Sequence, residues 1–260
     1  MQNHLQIIGI QSDLVWENPT TNRNSFEQKI KAMSSKIDLI VLPEMFTTGF
    51  TMNVQAIAES MEGATLSWMK KMASEKNCAI TGSLVIQEKE QFYNRMVFVY
   101  PSQKVEFYDK KHLFTLANEQ KTFTAGTSIQ PILYKGWKIC PLICYDLRFP
   151  VWSRNTIEYD LLLYVASWPI PRINAWTTLL KARAIENMSY VMGINRIGTD
   201  INGHQYSGNS ILLDCFGSEL SALKDNQEGC IEAVLDKDKQ EVSRNKFSFL
   251  EDRDLFELKF

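Results

Sequence analysis

Three short stretches of this chain place reactive side chains where an apolar run stops. Cys144 lies in Pro141-Leu142-Ile143-Cys144-Tyr145-Asp146-Leu147-Arg148-Phe149-Pro150, where an apolar strand ends at a thiol and a helix start follows at Pro150. A thiol at a strand-to-helix turn can be presented in a crevice, with free backbone N–H groups of the turn aimed at the same spot. Its deprotonated form is a nucleophile. Glu44 directly follows Leu39-Ile40-Val41-Leu42-Pro43, and a carboxylate at such a strand end can serve as an acid or base in a cleft. Lys110 and Lys111 come after residues 105–108 and before His112-Leu113-Phe114. Each stretch also has a plainer reading. Most free cysteines are packing residues of a core, Glu44 can be a loop residue in water, and a lysine pair is usually a solvated turn.

Other familiar arrangements are missing. The chain has no G-x-x-x-x-G-K-[ST] loop, no dinucleotide fingerprint after its first strand and no G-x-S-x-G elbow. Its three histidines, His4, His112 and His204, lie near no cysteine pair at ligand spacing, so zinc is not expected. As the base of a Cys-His protease only His112 or His204 would serve.

The elements that must position these residues follow from hydrophobic periodicity. Residues 5–10, 37–42 and 78–86 are short, mostly apolar runs that read as strands buried on both faces. Between them, Phe26, Ile30 and Met33, and then Leu66, Met69 and Ala73, recur at helical spacing. Residues 92–100 and 104–108 flank Pro101-Ser102-Gln103 as a hairpin, and 129–134 with 137–144 form another strand pair around Lys135-Gly136. Strands are expected over 161–166, 190–195, 206–214 and 229–235, with a helix over 173–187. Helices in two groups with many strands between them predict a layered α/β sandwich rather than a simple doubly wound sheet. With no Ser/Gly- or Pro-rich linker and no repeat, residues 1–260 read as one domain.

Composition narrows the partners. With 45% apolar and 22% charged residues, the chain has enough apolar surface to fold, which excludes a disordered chain. A net charge of −2 offers no basic field for nucleic acid. Five cysteines are too few, and odd in number, for a disulfide framework. The start MQNHLQIIGI has neither a basic n-region nor a long apolar run, so no secretory signal is expected. The longest near-apolar stretch, residues 161–170, is half the length that would span a bilayer. A cytoplasmic globule is the expectation.

Taken together, Pro43-Glu44-Met45-Phe46, Tyr108-Asp109-Lys110-Lys111-His112-Leu113-Phe114 and the Cys144 stretch resemble, in that chain order, the motifs of the nitrilase superfamily of carbon–nitrogen hydrolases. The resemblance extends over nearly the whole chain, through Glu119 before Ala125-Gly126, Ala182-Arg183-Ala184-Ile185-Glu186-Asn187, and Gly208-Asn209-Ser210. It looks closest to the ω-amidase branch in Cys144 through Asn155, in Ala166-Ser167-Trp168-Pro169 and in the Phe46-Thr47-Thr48-Gly49-Phe50 loop. The Trp-Glu pair common after the nucleophile in nitrile-cleaving members is missing. One departure, Asp214-Cys215-Phe216-Gly217 where relatives often carry Pro at the second position, concerns a turn.

The resemblance implies a four-layer α-β-β-α sandwich and a Glu44-Lys110-Cys144 triad, with Glu119 supporting the lysine. The family motif places its lysine two residues before the histidine, which makes Lys110 the candidate; Lys111, next to it on an extended chain, would point to the opposite side. It further implies a thioester route to hydrolysis of the terminal amide of short dicarboxylate monoamides, such as 2-oxoglutaramate and 2-oxosuccinamate, with no metal and no organic cofactor. The Tyr145 backbone N–H would share the oxyanion. Arg148 or Arg172 would bind the distal carboxylate, since guanidinium binds it bidentately. The alternatives are an ion pair of Arg148 with Asp146 or Glu186, and a surface position for Arg172. Trp168 and Phe46 would wall the pocket unless they are core. An N-carbamoyl-amine hydrolase, an aliphatic amidase and a catalytically silent assembly module are the competing functions. A homodimer is expected. Residues 243–260, rich in Phe and Leu, should pack on the domain or on a partner subunit.

Overall fold

The run expected as the first strand forms β1 (His4–Gln11), a central strand whose alternate side chains feed two different cores. Leu5 and Ile7 point one way, with Leu39 and Val41 of β2 (Leu39–Val41). Ile8 and Ile10 point the other way, where they meet Phe26 and Ile30 of α1 (Pro19–Ala32). This period-two alternation makes a sheet that is apolar on both faces. Burying one such Ile or Leu side chain is worth about 1.5–3 kcal/mol. The computed structural model describes residues 2–33 and 36–258. Lys259 and Phe260, at the end of the apolar tail, lie outside the described residues.

Helix α1 begins where the sequence supplies its cap. The Asn18 side chain accepts the Thr21 N–H at 3.1 Å and Pro19 occupies the first turn, where its missing N–H costs nothing. After the one-turn α2 (Val54–Ile57) comes α3 (Ala64–Lys76), which lays Leu66, Met69 and Ala73 on the same sheet face as α1. The sheet is completed by β3 (Ala79–Glu88), β4 (Gln91–Val99) and β5 (Val105–Asp109).

The second half repeats this pattern. β6 (Ile132–Tyr134), β7 (Trp137–Ile143), β8 (Leu161–Ala166) and β9 (Tyr190–Asn195) are joined by α4 (Pro150–Ser153) and α5 (Ile173–Asn187). A small ribbon of β10 (Ile197–Thr199) and β11 (Gln205–Ser207) precedes β12 (Ile211–Leu213), β13 (Glu219–Ala222), β14 (Gly229–Asp236) and α6 (Lys237–Phe247). One six-stranded sheet runs β14-β1-β2-β3-β4-β5, the other β13-β12-β9-β8-β7-β6. Read from β14 and from β6 respectively, both show one antiparallel, two parallel and two antiparallel pairings. The inner faces pack on each other. α1 and α3 cover one outer face, and Trp176, Leu180 and Ala184 of α5 cover the other. The layers are α-β-β-α.

The sheets approach closely at Gly9, where an added Cβ would sit 2.0 Å from Cδ1 of Ile194. The single strand expected over 206–214 is two strands. The break is at Gly208, whose φ is +80° and whose missing Cβ leaves room for the Gln11 side chain; Gln11 accepts the Ser210 N–H at 3.0 Å. Helix α6, which periodicity did not indicate, docks through Arg244 to the Met188 and Tyr159 carbonyls. No helix among the described residues is long and apolar enough to cross a membrane.

Candidate active site

Four strands, two from each sheet, end at one place. β2 runs into Pro43-Glu44, β5 into Lys110, β7 into Cys144 and β8 into Ser167. Backbone bonds fix these ends. The Met45 N–H donates to Ser83 Oγ at 2.8 Å, the Lys110 N–H to the Asn94 carbonyl at 3.0 Å, and the Gly126 N–H to the Lys110 carbonyl at 2.9 Å. Cys144 opens a 3-10 turn, Cys144–Arg148, at φ +44°. That left-handed conformation costs a residue with a Cβ roughly 1–2 kcal/mol, and it turns the thiol out of the strand direction.

Glu44, Lys110 and Glu119 are fully buried. Lys110 Nζ donates to Glu44 Oε1 at 2.9 Å and to both Glu119 oxygens at 3.0 Å. Glu44 Oε2 accepts the Ser167 backbone N–H at 2.8 Å. Asn94 Nδ2 bridges the two carboxylates, donating to Glu44 at 2.8 Å and Glu119 at 3.3 Å, and the Phe114 N–H donates to Glu119 at 2.5 Å. Lys111 points elsewhere, with its Nζ 5.6 Å from the centre of the Trp152 ring. The Cys144 thiol lies within reach of the Glu44, Lys110 and Glu119 charges, and all three act on it.

The charges of this cluster bias each other. Burial by itself would push the Lys110 ammonium down, but the Glu119 and Glu44 carboxylates outweigh it and hold Lys110 above its ordinary value. Burial raises the Glu119 carboxyl despite the pull of Lys110, and the Glu44 charge raises it further. Burial, together with the Glu44 charge, lifts the Cys144 thiol well above its ordinary value, and Lys110 opposes this only in part. The resting thiol is therefore protonated, and a base must take its proton when it attacks.

Above the cluster opens a cavity of about 450 Å³ lined by Lys110, Cys144, Tyr145, Arg148, Trp168 and Arg172 among others. The Arg148 guanidinium lies 4.9 Å from the centre of the Trp168 ring and that of Arg172 lies 5.1 Å from Phe114. Neither belongs to any ion pair among the described residues. The acids that could have claimed Arg148 are engaged elsewhere, Glu186 with Arg183 at 2.8 Å and Asp146 with His112 at 2.8 Å. Trp168 is anchored by its indole N–H, which donates to the Arg172 carbonyl at 2.7 Å. Phe46 needs a correction. It is fully buried, edge-on to Phe26 at 5.4 Å and near Trp68 at 6.1 Å in the core under the helices, not in the cavity. Phe50 takes the wall position instead, 5.2 Å from Lys110 Nζ. The turn at Met45, where φ is +44°, sends Phe46 to the helix side of the sheet.

Residues 5–244 match the carbon-nitrogen hydrolase family. The chain is a carbon–nitrogen hydrolase. It is 41% identical over 252 residues to the omega-amidase YafV of Yersinia enterocolitica, covering 97% of this chain and 98% of that one. It is 33% identical to the 2-oxoglutaramate amidase of Bacillus subtilis, over 95% and 97% of the two chains. A CN-hydrolase superfamily protein from Xanthomonas campestris, solved with an arsenic adduct in its active site, superposes with a TM-score of 0.96 at 36% identity, over 99% of this chain and 100% of that one.

Sequence reasoning missed several residues of the hydrolase that surround this cluster. Asn94 carried a signal, as the polar Asn94-Arg95 pair interrupts the otherwise mostly apolar run 92–100. Ser167, whose N–H orients Glu44, stood in the sequence only within the Ala166-Ser167-Trp168-Pro169 resemblance, which gave no hint of this contact. Asp200 and Tyr206, bonded to each other at 2.8 Å, join the cavity from the β10–β11 ribbon. No three His, Cys, Asp or Glu side chains among the described residues are placed to hold a metal ion.

Proposed function

We propose that this hydrolase cleaves the terminal amide of short dicarboxylate monoamides, 2-oxoglutaramate and 2-oxosuccinamate, through a thioester on Cys144. The observation that carries this reading is the pair of guanidiniums, Arg148 and Arg172, held by aromatic faces rather than carboxylates in the cavity that contains the thiol. Two cations without anionic partners suit a small substrate with a carboxylate at the end away from its amide. The names of the relatives from Yersinia and Bacillus support the same substrate class.

In the reaction, Cys144 Sγ attacks the amide carbonyl as Glu44 takes its proton. The carbonyl oxygen gains the negative charge and is met by Lys110 and the Tyr145 backbone N–H, which lies in the first turn of a helix and has no intrahelical acceptor. Each preorganised donor contributes roughly 3–4 kcal/mol. Glu44 returns its proton to the nitrogen, which leaves as ammonia. It then deprotonates a water that attacks the thioester, and the acid departs with the thiol restored. Glu119 keeps Lys110 cationic and fixed.

Ammonia release from 2-oxoglutaramate, from an N-carbamoyl amino acid and from a simple nitrile tests the assignment. Turnover of the first alone is expected; turnover of another without the first ends the ω-amidase reading. Within the pocket, Arg172→Met and Arg148→Met are expected to raise KM for 2-oxoglutaramate by about 10- to 100-fold, the loss of a charge-assisted contact. Turnover of an uncharged aliphatic amide should hardly change. Equal losses on both substrates would place the arginines in a structural role.

The proposal includes a homodimer working in the reducing cytoplasm. Phe216 and Phe247 lie 5.8 Å apart, Phe247 and Phe249 5.4 Å apart, and Ile185 adjoins Gly217, making one apolar strip. Leu255, Phe256 and Leu258 are exposed beyond it, so the tail leaves apolar surface that a second copy would cover. A chain ending at Asn245 should shift toward monomer in light scattering; an unchanged dimer would remove the tail from the interface.

A further inference from the structure

The fully buried Asp146 carboxylate joins two segments that belong to different sheets. From the Cys144 turn it accepts the Ile143 backbone N–H at 3.0 Å. From the segment that carries Lys110 it accepts the Tyr108 hydroxyl at 2.8 Å, the His112 backbone N–H at 2.9 Å and the His112 ring at Nδ1, 2.8 Å away. Tyr108 and His112 stand two residues on either side of Lys110. The His112 ring is itself held, stacked on Phe149 at 3.6 Å and 5° and edge-on to Trp152 at 5.9 Å. Phe149 follows directly on the turn that begins with Cys144.

We infer that His112, by donating from Nδ1 to Asp146, is a positioning residue that clamps the Cys144 turn against the Lys110 segment and so sets where the thiol stands relative to the ammonium. Two features demand such a clamp. Cys144 sits at φ +44°, a conformation that relaxes toward the right-handed region unless its neighbours are tied. Cys144 and Lys110 also come from separate sheets, so no backbone ladder between adjacent strands fixes their distance. A misplacement of about 1 Å between reacting groups can cost on the order of 100-fold in rate. The ring nitrogen is therefore the donor Nδ1–H tautomer or the imidazolium, because the Asp146 oxygen opposite it is an acceptor.

The inference rests on the reading of Cys144 as the nucleophile, and its test separates the two. His112→Phe keeps a ring on Phe149 and removes the donor; His112→Asn keeps a donor where Nδ1 stood and removes the ring. Two rates are measured on folded protein: amide turnover, and alkylation of the Cys144 peptide by iodoacetamide, followed by mass spectrometry. His112→Phe should lower kcat by about 10- to 100-fold with KM nearly unchanged, and slow alkylation in parallel, while His112→Asn stays within about threefold of the parent. Tyr108→Phe, which removes another donor to Asp146 without changing its volume, should fall between them and serves if His112→Phe does not fold. Parental rates in His112→Phe or, failing that, in Tyr108→Phe overturn the clamp, as does equal loss in His112→Phe and His112→Asn. Alkylation needs no amide substrate. A wrong substrate would leave the comparison of alkylation rates intact, whereas no selective alkylation of Cys144 in the parent would sink the nucleophile itself.

Discussion

Cys144→Ala is expected to reduce ammonia release by a factor on the order of 10⁶ while leaving the fold in place. Alanine removes one sulfur from a position whose backbone already carries the cost of φ +44°, and that cost is the same for either residue. No neighbour can take over. Cys140 is fully buried in the core three residues before the strand end, and burial raises its thiol above the ordinary value. The variant should melt within a few degrees of the parent, and the parent alone should give an acyl adduct on the Cys144 peptide when quenched during turnover. Hydrolysis by Cys144→Ala at more than about a hundredth of the parental rate would mean that Glu44 activates water directly, and the thioester route would fall.

The second large effect is expected from Lys110→Met, on both rate and stability. Removing the ammonium takes away the partner shared by two fully buried carboxylates, at 2.9 Å from Glu44 and 3.0 Å from Glu119. Loss of one oxyanion donor should lower kcat by about 10²–10³-fold. Leaving a buried charge without its partner should destabilise the fold by about 3–5 kcal/mol near neutral pH. The sign of the pH dependence follows from Glu119, already above its ordinary value through burial while Lys110 pulls it down. Without Lys110 the carboxyl rises further. A carboxyl with a higher pKa folded than unfolded binds its proton in the folded state, so its contribution to stability is lost as pH rises through the folded value. Lys110→Met should therefore come closest to the parent near pH 5 and fall further behind it toward pH 8. A deficit in melting temperature that is the same at both ends would show that the carboxylates are not what the lysine stabilises.

Much of this site was legible because local pattern carries it. Strands 39–41 and 137–143 are mostly apolar and are followed by Leu42-Pro43 and by Cys144, so Glu44 and the thiol stand just past strand ends whatever lies beyond. The family motif, with its lysine two residues before the histidine, separated Lys110 from Lys111, and the structure sends one into the cluster and the other over Trp152. Glu119 was different. Its neighbours Ala117-Asn118-Glu119-Gln120-Lys121 read as surface, and only the family resemblance singled it out; Glu119 is fully buried because Lys110 and the Phe114 N–H enclose its oxygens. Phe46 failed because one left-handed residue, Met45, turns the chain, and periodicity has no information past such a turn.

The sequence by itself determined most of the elements and the faces they bury, since period-two and helical spacing are properties of neighbours along the chain; the candidate reactive groups were singled out by the family resemblance of their motifs. Tertiary structure alone decided which ends meet. Two sheets packed face to face, close enough at Gly9 that no side chain fits there, bring Glu44 and Lys110 of one sheet to Cys144 and Ser167 of the other. That apposition spans 123 residues between Glu44 and Ser167, a distance at which local spacing has no say and only the packing of the inner faces does.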